Sequence, residues 1–223
     1  MGIGIDGCLN GWIVASFCTK TGFHFEFIEN LDSLESSIDI DSLILIDMPI
    51  GLLDEPRKGG RECDQMARAL LPKNRKSSVF SPPIRAVLEC VSYGECRDLL
   101  SKKGSGLSIQ AFHLIPKIVE LDDWLQSNSV KPVYEAHPEL VFQRYGVDVS
   151  LSKKSPLGKS ARRACLENHS KQTLQIPPKL PEEDCLDAAI LALRSEEATG
   201  EPLQILQGEQ LLDSKGIPMC ICY

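Results

Sequence analysis

Four acidic residues in this chain of 223 residues stand where carboxylates are not expected. Asp6 ends the stretch Gly2-Ile3-Gly4-Ile5, Asp47 ends Leu43-Ile44-Leu45-Ile46, and Glu135 follows Val133-Tyr134. Asp187 lies past the first turn of a segment opened by Pro181, beside the apolar positions Leu186, Ala189, Ile190 and Leu193. Strand ends on one edge of an open sheet converge, so carboxylates carried there can meet at one point. Grouped carboxylates repel one another unless a cation neutralises them, and an oxygen-only set suits Mg²⁺ or Mn²⁺ better than zinc. Two such ions about 4 Å apart would activate a water and stabilise the leaving oxygen in phosphodiester hydrolysis. Asp6, Asp47, Glu135 and Asp187 are therefore expected to be both metal ligands and catalytic residues. Each also has a plainer reading. Asp6-Gly7 is a common turn dipeptide, Glu135 suits a surface strand end, and Asp184, beside Glu182 and Glu183, favours the positive end of the helix dipole.

The elements that must position these groups follow from periodicity. Gly2 to Asp6 reads as a strand, and Trp12 to Cys18 as a second. The turn signal Thr19-Lys20-Thr21-Gly22 leads into a third, in which Phe23, Phe25 and Phe27 alternate with His24, Glu26 and Ile28. Tight turns between these three predict an antiparallel meander. Leu31 to Ile38 predicts a short helix with Asp32 as its N-cap. Leu43 to Ile46 is continuously apolar, as a strand buried on both faces must be. Residues 56–129 show helical periodicity interrupted by Pro82-Pro83 and Gly104-Ser105-Gly106, and read as a helical insertion. Pro132 to Glu135 predicts a fifth strand, Pro138 starts a helix closed by Gly146, and Lys159 to Lys171 and the segment after Pro181 predict two more. Leu203 to Leu206 and Ile217 to Cys222 predict a closing hairpin around Asp213-Ser214-Lys215-Gly216. The whole is expected to be one α/β domain over 1–223.

Composition narrows the classes. Hydrophobic residues at 43% and charged residues at 25% exclude a wholly disordered chain. No apolar run approaches the roughly 18 residues of a membrane helix, so no membrane partner is expected. The nine cysteines include no Cys-x-x-Cys pair, which suits free thiols in a reducing compartment and predicts a cytoplasmic protein. The net charge of −7 hides an uneven distribution. Residues 56–76 hold Arg57, Lys58, Arg61, Arg68, Lys73, Arg75 and Lys76 against Glu62 and Asp64. Residues 151–171 hold Lys153, Lys154, Lys159, Arg162, Arg163 and Lys171 against Glu167. Two basic segments on an acidic body can present a phosphate-binding surface if they share a face; otherwise they are solvated helices.

The motifs also carry a resemblance. Gly4-Ile5-Asp6-Gly7-Cys8 with Gly11-Trp12, then Ile46-Asp47-Met48-Pro49-Ile50-Gly51-Leu52, open the match. Arg61-Glu62-Cys63-Asp64 with Ala67-Arg68, Ser77-Ser78-Val79-Phe80 with Arg85, Lys117-Ile118, and Glu135 with His137-Pro138-Glu139 continue it. Lys154, Gly158 and Arg162 follow, and Asp187-Ala188 closes it. Over roughly residues 2–195 the chain resembles a domain-of-unknown-function family of predicted RNase H-like nucleases. The resemblance implies an RNase H-like mixed five-stranded sheet, three strands antiparallel and two parallel, flanked by helices. It implies a primary metal-binding aspartate at Asp6, a further acid at Asp47 and a helical acid at Asp187. Asp47 stands where generic RNase H-like nucleases carry a glutamate. The resemblance leaves open whether Glu135 or Glu139 faces the metals and whether Asp184 joins them.

Substrate contacts are expected from Arg61, Arg68, Arg85 and Lys117 of the insertion, since arginine can grip one phosphate with two bonds. Glu139, Lys154 and Arg162 lie in matched motifs and are expected on the same surface. His137 is read as a general base, a phosphate donor, or simply the residue before a helix-starting proline. The expected function is metal-dependent nuclease or phosphodiesterase activity on a nucleic acid or nucleotide. The alternatives are an inactive RNase H-like module that binds nucleic acid or a protein, and, further off, an actin-like phosphotransferase. A Walker loop at Gly158-Lys159-Ser160 fails because its first glycine position is Lys153.

Overall fold

The computed structural model describes residues 1–36, 42–127 and 132–223. Strands β1 (Gly2–Cys8), β2 (Gly11–Cys18) and β3 (Gly22–Ile28) form the antiparallel meander, and β4 (Ile44–Asp47) and β5 (Val133–Glu135) follow. The sheet order is β3-β2-β1-β4-β5, with β1, β4 and β5 parallel. Three strands in an antiparallel meander with two more added in parallel make the mixed sheet expected from the sequence. The run Ile44-Leu45-Ile46 is continuously apolar because β4 sits mid-sheet, and all three residues have no exposed surface.

Between β4 and β5 the chain forms α1 (Glu62–Leu70), 3₁₀ turns at Lys73–Ser78 and Arg85–Glu89, α2 (Tyr93–Lys102) and α3 (Ile109–Ser127). After β5 come α4 (Pro138–Arg144), α5 (Pro156–Ser170) and α6 (Glu182–Glu197). The hairpin β6 (Ile205–Leu212) and β7 (Pro218–Cys222) closes the chain, and a parallel bridge between Ala136 and Cys222 sets it beside β5. The helix expected from Leu31 is a 3₁₀ turn, Leu31–Ser36, and the rest of that expectation lies outside the described residues.

The two faces of the sheet are packed differently. Ile3, Ile5, Val14, Ile44 and Ile46 pack with Ile118, Leu121 and Trp124 of α3. Ile13, Ala15, Phe17 and Leu45 face the other way, into the core around α6. On β1 that second face carries Gly2 and Gly4. A Cβ on Gly4 would fall 2.0 Å from the Ala188 carbonyl, and one on Gly2 2.2 Å from that of Ala192. Glycine on the strand and alanine on the helix let α6 lie directly against β1. The reading of one apolar face for α6 is too narrow, because every residue from Cys185 to Ser195 is buried. Two of its polar members bond to nearby carbonyls: Ser195 Oγ donates to that of Leu43 (2.6 Å), and Arg194 donates through Nη1 and Nη2 to those of Glu201 and Pro202. Among the described residues no helix is long and apolar enough to cross a membrane. All nine cysteines are free.

Candidate metal centre

Side chains alternate along a strand, so Asp6 shares the α6-facing side of β1 with Gly4, and Asp47 shares that side of β4 with Leu45. The two aspartates are direct partners in the parallel pairing of β1 and β4. Asp187 enters from above, one residue before Ala188, whose carbonyl lies over Gly4. One oxygen from each of Asp6, Asp47 and Asp187 lies within 4.8 Å of the others. Asp6 and Asp187 are buried and Asp47 is half-buried.

Such crowding disfavours charge. Burial, and then the charges of Asp47 and Asp187, push the Asp6 carboxyl well above its ordinary range. Burial and Asp187 push Asp47 up to about 7. One cation partly offsets the repulsion: Lys153, in the loop before α5, forms an ion pair from Nζ to Asp187 Oδ2. Asp187 Oδ1 is buried and has no hydrogen-bond partner. An unpartnered buried carboxylate oxygen next to two further carboxylates is the donor set a hard divalent cation completes. The three aspartates therefore fit such an ion.

Glu135 lies outside this cluster of three but lines the same cavity as Asp6 and Asp47, with its own oxygens already engaged. Arg61 Nη2 donates to its Oε1 and Nη1 to its Oε2, each at 2.7 Å, and the Ile50 N–H donates to Oε2 at 2.7 Å. Arg61 also grips Asp64 and the carbonyls of Ile50 and Gly51, and is 2% exposed. A guanidinium so enclosed ties the insertion to β5 and presents nothing to a phosphate. Glu139 is likewise occupied, by Arg75, by Ser78 Oγ (2.7 Å) and by Arg162 at 3.6 Å. Arg75 belongs to one basic segment and Arg162 to the other, so Glu139 joins them. Asn74 Nδ2 donating to the Ser150 carbonyl (3.1 Å) adds a second join. Lys73, Lys76 and Lys154 remain exposed on these touching segments.

The remaining expected contacts are scattered. Arg68 donates to the carbonyls of Val79 and Gly59. Arg85 is held by Asp122 and Asp213. Lys117 donates to the Gly11 carbonyl and lies 4.4 Å over the Trp12 ring. Asp184, one turn before Asp187, lines a neighbouring cleft with Gly7, Cys8 and Lys117.

His137 does face the site. With Asp6, Asp47, Ser78 and Phe80 it lines a cavity of about 240 Å³. Its Nδ1 accepts the Glu139 N–H (3.3 Å), so the proton of the neutral ring is on Nε2, 3.4 Å from Ser78 Oγ. Burial, with Lys153 and Arg75 nearby, pushes the ring down to about 4. It is a neutral donor in this cavity.

Lys153 is the residue that sequence reasoning missed, having singled out its neighbour Lys154. Asp64 was missed too, although its position three residues after Arg61 at a helix start is a capping-box spacing.

Residues 4–210 match the model of a family described as "Protein of unknown function (DUF429)". No curated protein and no solved structure matches the chain.

Proposed function

The chain belongs to the DUF429 family, and from its site we propose that it is a divalent-metal-dependent phosphodiesterase acting on nucleic acid or a nucleotide. The observation that carries this reading is the convergence of Asp6, Asp47 and Asp187 around the unpartnered Asp187 oxygen. The sheet order, with Asp6 and Asp47 level on two adjacent parallel strands, also supports an RNase H-like arrangement.

In this reading Asp6, Asp47 and Asp187 hold the cation, which is magnesium or manganese because every donor is a carboxylate oxygen. When bound, such an ion supplies Lewis acidity toward a phosphate oxygen. The chain's own residues do the rest. Exposed Lys73, Lys76 and Lys154 raise the local concentration of an anionic substrate. His137 offers its Nε2–H to a substrate oxygen lodged in the cavity and does not act as a base, because its free nitrogen is already protonated. Glu135 acts through the Arg61 network, which holds the Ile50 backbone beside Asp47.

The test is cleavage of labelled single strands, duplexes, hybrids and branched junctions, and of bis(p-nitrophenyl) phosphate, with Mg²⁺ or Mn²⁺. The reading expects metal-dependent hydrolysis of at least one, abolished in Asp6→Asn. Nucleic-acid binding that is indifferent to metal, with no cleavage of any substrate, replaces it with the inactive binding module.

A further inference from the structure

Lys153 holds a place next to the carboxylates that a cation would contest. Its Nζ pairs with Asp187 Oδ2, and its charge also bears on Asp6, Asp47 and Asp184. The loop that carries it is fixed at several points. The Ser150 carbonyl accepts from Asn74 (3.1 Å), the Leu151 carbonyl from Arg162 (3.2 Å), and the Ser152 carbonyl from Ser155 Oγ (2.8 Å). A Cβ on Gly158 would lie 2.0 Å from that same Ser152 carbonyl, so the loop is pressed onto the start of α5. The backbone is held while the side chain stays partly open to solvent: Lys153 is 32% exposed, against 2% for the Asp187 side chain it reaches. A lysine stem of four methylenes can withdraw its ammonium to solvent without any backbone change.

A single ammonium cannot neutralise three carboxylates, and it leaves Asp187 Oδ1 without a partner. A divalent ion brings twice that charge to the group and can give Asp187 Oδ1 a partner as well. We propose that Lys153 is a built-in counter-cation that competes with the divalent ion for Asp187 Oδ2 and is released toward the cavity mouth when the ion binds. The inference rests on the metal-centre reading of Asp6, Asp47 and Asp187. Its rival is a positioning role, in which Lys153 holds Asp187 in place as a ligand. The two differ in sign: removing a competitor tightens metal binding, and removing a support weakens it.

The experiment is calorimetric titration of the full chain with Mn²⁺, for the wild type, Lys153→Met and Lys153→Arg. Lys153→Met is expected to bind Mn²⁺ about ten-fold more tightly, and Lys153→Arg close to the wild type. In chelator, Lys153→Met is expected to melt lower than the wild type at pH 8, with the deficit removed by Mn²⁺. Mn²⁺ binding by the wild type with unchanged or weaker binding by Lys153→Met overturns the inference and leaves the metal centre standing. No binding by any of the three overturns both. Should Lys153→Met not fold, the same question is put to the wild type labelled at lysine Cε, with Lys153→Arg used to assign the signal. Saturating Mg²⁺ is expected to move the Lys153 signal to that of a solvated ammonium, and an unmoved signal in the Mg²⁺-bound protein overturns the inference.

Discussion

Arg61 and Glu135, 74 positions apart in the chain, face each other through two bonds of 2.7 Å in the interior. Asp64 closes the network from the same guanidinium. Removing one member of a buried, hydrogen-bonded ion network leaves the other charges uncompensated and costs about 3 to 5 kcal/mol. Arg61→Met, which leaves Glu135 and Asp64 facing each other, should lower the unfolding free energy by that amount in urea. The folded fraction should bind phosphate-bearing ligands as the wild type does. A stable variant with weakened phosphate binding would return Arg61 to the substrate surface.

Gly4 sets the distance between β1 and the helix that delivers Asp187. A Cβ there meets the helix backbone, which cannot yield as a side chain can. Gly4→Ala should cost about 3 kcal/mol and also weaken Mn²⁺ binding, because α6 can accommodate the methyl group only by moving off β1. Unfolding and titration on the same preparation check both. Full stability with unchanged metal affinity would refute this account of the packing.

Much of this architecture was legible in the residues, and the reasons are local. The continuous run Ile44-Leu45-Ile46 and the turn signals specify strands; the alternation of Phe23, Phe25 and Phe27 finds the third strand but not its buried face throughout, since Phe27 is exposed and Ile28 buried. Asp6 and Asp47 could be placed together because each follows an apolar strand run that a parallel pairing brings level, although β1 continues two residues past Asp6 to Cys8. The partners were not legible. Nothing near Glu135 in sequence indicates that Arg61 will claim both of its oxygens, although it lines the same cavity as Asp6 and Asp47. Of two successive lysines in a loop, no periodicity tells which one turns inward. Lys153 does, and Lys154 stays exposed.

The acidic group makes metal-free stability depend on pH. Asp47 titrates at about 7 in the fold against 3.8 ordinarily, so between those values the folded protein binds more protons than the unfolded chain. Its penalty is absent below pH 4, grows as pH rises, and is complete above about 7. His137 acts oppositely, lowering stability as pH falls from 6.5 toward 4. Comparison with Asp47→Asn isolates the carboxylate. In chelator the variant should melt above the wild type at pH 8, and the gap should narrow at pH 5.5. A variant less stable than the wild type at pH 8 would contradict the electrostatic account.

His137 should remain neutral through the physiological range. Nuclear magnetic resonance of the ring is expected to show an Nε2–H tautomer and a titration midpoint near 4. A midpoint near 6.5, or a proton on Nδ1, would reopen its role as a general base.

The most direct test is electron paramagnetic resonance of Mn²⁺ mixed with the wild type, Asp6→Asn and Asp187→Asn at pH 8. The account predicts that the wild type quenches the sharp six-line signal of the free ion in a saturable manner, that each folded variant leaves it visible, and that Mg²⁺ restores it in the wild type. Equal quenching by all three proteins, or none by the wild type, would mean that Asp6, Asp47 and Asp187 do not form a metal centre.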